Sequence, residues 1–135
     1  FSFQEFSQRY ANPEEQGDMF EYSEARLQDP KNRQNSVDVD DAKLQIDWEH
    51  AQRRIAVLAK KEYDWAIKKG IAKEQARKVL PEGLTKTRLY MNGTLRSWVH
   101  YIDLRGANGT QKEHMEIAHS CAKVIAGIFP LMKEL

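Results

Sequence analysis

An apolar periodicity over residues 41–69 constrains this chain's fold more than any other feature. Leu44, Trp48, Ala51, Ile55, Leu58 and Ala66 recur near every third or fourth place, the spacing that gathers side chains on one face of an α-helix. Asp38, Asp40 and Asp41 suit the N-terminus of such a helix, Lys68 and Lys69 suit its C-terminus, and Gly70 supplies a stop. One long helix therefore dominates a chain of 135 residues.

Weaker signals surround it. Phe1 and Phe3 alternate with Ser2 and Gln4, which predicts a short strand within 1–10. Residues 11–40 hold Asn12-Pro13, Gly17, Asp29-Pro30 and a polar run at 32–35, and they read as a long loop pinned by Phe20, Tyr22 and Leu27. A short helix over 73–79 ends before Pro81. Residues 85–92 alternate and carry β-branched and aromatic side chains, which predicts a strand. Gly93 breaks it and Thr94 can cap a helix that runs to Arg105. A turn is expected at 106–109, then a last helix over 110–129 with Met115, Ala118, Ala122, Ile125 and Phe129 inward, stopped by Pro130. Together these elements predict an α+β fold in which long helices flank a small antiparallel sheet.

Composition narrows the function. With 41% hydrophobic and 30% charged residues the chain is a soluble globular domain rather than a disordered one. Its 21 basic and 20 acidic residues leave a formal charge of +1, too little basic excess for a general nucleic-acid binder. No apolar run approaches the roughly 20 residues that span a bilayer, so no membrane partner is expected. The single cysteine, Cys121, cannot form an internal disulfide and fits a reducing, cytoplasmic compartment. Between Ala118, Ala122 and Ile125 it reads as a small buried hydrophobe. No metal site is expected, because His114 and His119 are five apart and no second cysteine exists. The pairs Arg53-Arg54, Lys60-Lys61 and Lys68-Lys69 read as the solvated face of the long helix.

Arg96 and Arg105 stand nine positions apart, at the two ends of the helix after Gly93. A guanidinium holds a fixed fork of donors that suits phosphates and planar carbonyl edges, so an anionic heterocycle is a natural ligand. An amphipathic helix with surface arginines explains the same segment without one. The opening Ser7-Gln8-Arg9-Tyr10 changes that balance, as do Ala76-Arg77-Lys78-Val79-Leu80-Pro81, Gly93-Thr94-Leu95-Arg96-Ser97, Leu104-Arg105 and Thr110-Gln111-Lys112-Glu113. In this order the blocks resemble the flavin-dependent thymidylate synthases, whose signature is Arg-His-Arg, seven residues, then Ser-x-Arg-Tyr. The triplet would fall just before Phe1, and the N-terminal part of the domain is expected to be absent from a chain otherwise made of its C-terminal portion.

The resemblance implies reductive methylation of dUMP to dTMP by a homotetramer, with methylenetetrahydrofolate as carbon source, FAD as redox cofactor and NADPH as reductant. It implies that Arg105 contacts the uracil ring and stabilises its ionised N3 form, a permanent charge placed where negative charge develops. An arginine satisfying the last carbonyls of its helix is the plainer reading of Arg105. By resemblance Arg9 and Arg77 bind dUMP, chiefly its phosphate end, while Glu5, Phe6, Ser7 and Gln8 form the adjoining dUMP-binding stretch, in which Glu5 lies near both nucleotide and flavin as an acceptor for sugar or ring. Ser7 reads as a ligand-binding hydroxyl rather than a nucleophile, since His50, His100, His114 and His119 all lie far along the chain. Thr94, Leu95, Arg96 and His100 resemble the FAD-contacting segment, and Arg96 and His100 share a helix face one turn apart. A half-buried histidine beside Trp98 and Tyr101 is the alternative for His100. Two departures stand out: Gly109 occupies a position where the family commonly has histidine, and the spacing from Pro81 to Arg96 runs one residue long, near residues 85–87. A non-catalytic binding or oligomerisation module that keeps the family fold is the rival reading.

Overall fold

In the computed structural model, which describes residues 1–107 and 109–130, the periodic stretch forms one unbroken helix, α1 (Ala42–Lys68). Asp41 holds an extended backbone and its carboxylate accepts from the Leu44 N–H at 3.0 Å, an N-cap. Gly70 ends the helix with φ +77°, a left-handed conformation that glycine adopts without cost, and the Ile71 N–H returns to the Ala66 carbonyl at 3.0 Å.

The buried face of α1 is not the one its apolar spacing predicts. Gln52, Ala56, Ala59, Tyr63 and Ala66 are buried, whereas Leu44, Trp48, Ile55 and Leu58 are exposed, Leu58 by 55%. The cause is the partner that covers the helix, an irregular stretch that brings unpaired backbone groups with it. The Gln52 amide accepts from the Ser23 N–H (3.0 Å) and donates to the Ser23 carbonyl (2.8 Å). Seven residues earlier, the Gln45 amide does the same with Ala25, at 2.7 and 3.0 Å. Two glutamine side chains thus stand in for a strand edge, and alanines beside them let the backbone approach. Leucines at those positions would have left four polar groups unsatisfied.

Contacts divide the chain into two units, one holding residues 3–25 and 40–90 and the other holding residues 1–2, 26–39 and the chain from 91 on. In the α1 unit, Met19, Tyr63, Ala66 and Ala76 form the core, with Phe20, Ile67 and Leu80 packed on it. A 3-10 turn (Pro13–Gln16) is capped by Asn12, and the short helix α2 (Lys73–Ala76) passes into a second 3-10 turn (Arg77–Val79). The expected helix over 73–79 is therefore one α-helical turn followed by a tighter 3-10 turn.

The other unit holds a hairpin and two helices. Strands β2 (Arg26–Gln28) and β3 (Ser36–Asp38) pair antiparallel with Leu27 opposite Val37, so residues 11–40, read as loop, contain regular structure. Asp29 organises the hairpin's turn, its carboxylate accepting from the N–H groups of Lys31 (2.8 Å) and Asn32 (3.2 Å) and the side chain of Asn35 (2.8 Å). Arg26 pairs with Asp38 and donates to the Ser36 hydroxyl at 2.7 Å. Helix α3 (Leu95–Arg105) packs on α4 (Lys112–Ile128), where Ala118 is fully buried. Met115, Ala122 and Ile125 are half-buried there, while Phe129 is exposed. The expected turn at 106–109 includes Asn108, which lies outside the described residues.

Strand β1 (Ser2–Glu5) pairs with β4 (Leu89–Asn92), shorter than the strand expected over 85–92. The fold is α+β, with helices predominant and two small antiparallel sheets among the described residues.

Candidate functional site

Where β1 ends, the Phe6 N–H donates to the Arg88 carbonyl at 2.8 Å, carrying the ribbon one step further. The chain then turns: the Tyr10 and Ala11 N–H groups both donate to the Ser7 carbonyl, each at 3.2 Å. This turn forms one wall of a cavity of about 650 Å³ within the α1 unit, with Glu5, Phe6, Ser7 and Gln8 on that side. Arg77, Lys78 and Leu80 form the second wall, from the 3-10 turn that follows α2. Glu82, Thr85 and Thr87 complete it. Five of the residues predicted from sequence to bind one ligand thus share one cavity, from segments some seventy residues apart.

Its electrostatics are mixed. Arg77 and Lys78 make no ion pair among the described residues, and they face two carboxylates, Glu5 and Glu82. The Glu5 carboxylate accepts from the Thr87 hydroxyl at 2.9 Å. Ser7 Oγ accepts from the Arg9 N–H at 3.4 Å, a local backbone contact with no imidazole in it. Such a lining can fix a ligand that carries an anionic end and neutral donors elsewhere. Arg9 does not line the cavity. Its guanidinium lies 5.4 Å from the centre of the Tyr10 ring and 3.6 Å from the Glu74 carboxylate, half exposed.

In the other unit, Thr94 caps α3 by accepting from the Ser97 N–H at 3.2 Å, and Leu95 is the first helical residue. Arg96 and His100 are exposed four residues apart, on one face, and neither side chain has a hydrogen bond or ion pair among the described residues. Arg105, at the last turn, stands nine residues from Arg96 and so on the opposite side of the helix, the side of Tyr101. Burial raises the Tyr101 hydroxyl above its ordinary pKa and the neighbouring Cys121 adds to this, while the Arg105 charge opposes it. His100 is exposed and makes no aromatic contact among the described residues. Phe1 instead stacks edge-on against Trp98 and Tyr101, with ring centres 5.1 and 6.3 Å apart, and His114 packs on Tyr101 at 5.6 Å.

Two glycines carry geometry here. A Cβ on Gly93 would stand 2.4 Å from the Phe1 ring, so only glycine lets that ring settle beside α3. Gly109 has φ +94° and a Cβ there would come within 3.2 Å of Asn32 Nδ2, so a histidine would be strained at this position. Cys121 is half-buried rather than enclosed, on a groove between α3 and α4 with Trp98, Ile117 and Val124.

Sequence reasoning did not find Lys78, Glu82, Thr85 or Thr87. Lys78 fills the variable place of the Ala76–Pro81 block and Thr85 and Thr87 read as strand residues, so neither motif nor periodicity marks a ligand role for them, and the one signal was the irregular spacing noted at 85–87. No helix among the described residues is long and apolar enough to cross a membrane.

Residues 1–131 match the family described as thymidylate synthase complementing protein. A probable flavin-dependent thymidylate synthase of Paramecium bursaria Chlorella virus 1 is 46% identical over 130 residues, and a flavin-dependent thymidylate synthase of Synechocystis sp. is 48% identical over 130 residues. Each of these alignments covers 96% of this chain and 58% of the relative. A flavin-dependent thymidylate synthase of Aquifex aeolicus is 34% identical over 127 residues, 92% of this chain and 38% of its own. The chain thus spans little more than half the length of the first two of these relatives, yet the match runs through β1, the cavity and both later helices: the chain belongs to the flavin-dependent thymidylate synthase family.

Proposed function

We propose that this chain works within a thymidylate synthase that methylates dUMP reductively to dTMP, with methylenetetrahydrofolate as carbon source, FAD as redox cofactor and NADPH as reductant. The observation that carries the reading is the convergence of Glu5–Gln8 with Arg77 on one cavity, in a member of this family. Arg77, free of any ion pair among the described residues, suits the nucleotide phosphate, and Lys78 adds a second cation beside it. Arg9 joins them by exchanging its exposed 3.6 Å contact with Glu74, a pair of the kind that contributes little to stability. Ser7 and Gln8 supply neutral donors, and Phe6 an apolar edge.

Replacing the C5 hydrogen of uracil requires negative charge to develop in the ring. Arg105, permanently charged, is the residue that stabilises the ionised N3 form. Arg96 and His100 present a cation and an imidazole, both unengaged among the described residues, from one face of α3. That pairing fits an anionic flavin ligand, and with Thr94, Leu95 and Glu5 they are the residues that would hold FAD, which supplies the hydride when bound. Cys121, half-buried beside apolar neighbours, has no part in the chemistry. A single cysteine also suits a reducing, cytoplasmic setting. The exposed apolar stripe of α1 supports assembly into a homotetramer.

The test is release of tritium from C5-labelled dUMP by the full-length protein with FAD, NADPH and methylenetetrahydrofolate. Flavin-dependent release with dTMP formed is expected, and Arg105→Ala should lower kcat by at least about 100-fold, in line with loss of an oriented charge in other enzymes. Turnover of Arg105→Ala at the wild-type rate would remove that role, and no release from a wild-type protein with bound flavin and dUMP would overturn the proposed reaction.

A further inference from the structure

Thr87 stands at the residue stretch where the chain's spacing departs from the family pattern, and the structure gives that stretch a definite setting. On one side the Lys86 N–H donates to the Met19 carbonyl at 2.9 Å and the Glu21 N–H donates to the Leu84 carbonyl at 2.9 Å, with Thr85 bridged to Phe20. On the other side the Arg88 carbonyl accepts from the Phe6 N–H at 2.8 Å. The Thr85 hydroxyl donates to the Pro81 carbonyl at 2.7 Å, closing the turn from below. Thr87 is therefore held by backbone contacts on both flanks, and its hydroxyl donates to Glu5 Oε1 at 2.9 Å, 82 residues away in sequence.

We propose that Thr87 is a positioning residue that fixes the Glu5 carboxylate in the cavity. The inference rests on the reading of that cavity as the dUMP site. A carboxylate on an exposed strand end turns freely about three side-chain torsions, and the cavity's cations would draw it toward themselves. The Thr87 hydroxyl is a donor at a set place, and a hydrogen bond to a charged acceptor is stronger than a neutral one. By engaging Oε1 it keeps Oε2 pointed at the ligand as an acceptor. With Oε1 engaged by Thr87, Glu5 makes no ion pair with Arg77 or Lys78 among the described residues, which leaves both cations for the phosphate. Valine would keep the shape and lose the donor, whereas serine would keep the donor.

The experiment is a double-mutant cycle between Thr87 and Glu5 in the full-length protein, read by calorimetric dUMP affinity and by kcat and KM. Thr87→Val is expected to weaken dUMP binding about tenfold and to raise KM more than it lowers kcat. Thr87→Ser is expected to recover affinity to within about twofold of wild type. In a Glu5→Ala background Thr87→Val should change little further, because the route to the ligand through Glu5 is gone. An unaltered affinity in Thr87→Val, while the wild type binds dUMP, overturns the positioning role and leaves the site intact. So does an equal loss in both backgrounds, which marks an effect of the substitution that does not pass through Glu5, either on the structure or on a direct contact of Thr87, a lining residue, with the ligand. A wild-type protein that binds no dUMP overturns the reading of the cavity and the role of Thr87 with it. Should Thr87→Val fold poorly, the same cycle with Thr87→Ser and Thr87→Ala decides, since only the serine should couple to Glu5.

Discussion

Tyr63 has no exposed surface, and its hydroxyl has no hydrogen-bond partner among the described residues. A buried donor left unsatisfied costs about 1–3 kcal/mol, whereas the aromatic ring fills the core beside Met19 and Ala66 as phenylalanine would. Tyr63→Phe should therefore stabilise the protein by about 1 kcal/mol, read as a higher urea midpoint at unchanged m-value. A lower midpoint would mean that the hydroxyl has a partner in solution. Burial raises the Tyr63 pKa above its ordinary 10.0, and the charges of Glu14, Asp64 and Glu15 raise it further. The unfolded chain then loses this proton before the folded one does. Its contribution is whole below pH 10 and fades as pH rises through the folded value. Tyr63→Phe should flatten that alkaline decline, and parallel midpoint-against-pH curves for the two proteins between pH 9 and about 11 would refute it.

At the scale of elements, α1 owes its limits to local chemistry and its orientation to a distant partner. Asp41 satisfies one of the orphan N–H groups of the first turn, so Asp41→Ala should cost about 1 kcal/mol of stability while Asp41→Ser loses only a fraction of that. Urea titration followed by helical circular dichroism checks both, and equal midpoints for alanine and wild type would mean that the cap contributes nothing. The side α1 turns inward was not legible in this way. Its apolar residues mark an obvious face, but the stretch that covers it needed glutamine amides, so Gln45 and Gln52 face in and Leu44, Trp48, Ile55 and Leu58 face out. The hairpin within 11–40 escaped for a related reason. Each strand is three residues long, below the length at which alternation can be read, and the side-chain contacts of Asp29 and Arg26 that fix it are not a pattern of hydropathy.

For the molecule as a whole, the outstanding fact is how much apolar surface each unit leaves exposed. Trp48, Ile55, Leu58 and Trp65 follow one another at intervals of seven, three and seven along α1, and Ile117, Val124 and Ile128 are exposed on α4. A contiguous apolar stripe of this kind marks an interaction surface. Under the proposed homotetramer, Leu58→Glu should reduce the mass measured by light scattering to that of a dimer or monomer, and activity should fall with it. A Leu58→Glu protein of unchanged mass would remove this face from the assembly.

Local chemistry written in the chain determined where the helices begin and end and which family the chain joins. Caps and glycine stops act within a few residues and the order of motifs is fixed by the chain itself, so each can be read without knowing what packs against it. The tertiary structure alone decided which face of α1 is buried, that 26–38 folds back as a hairpin, and that Lys78, Glu82, Thr85 and Thr87 share one cavity with Glu5, Ser7 and Arg77. Periodicity reports that a face is apolar but not what will cover it. Glu5 and Thr87, 82 positions apart, share a hydrogen bond only once β1 and β4 have paired.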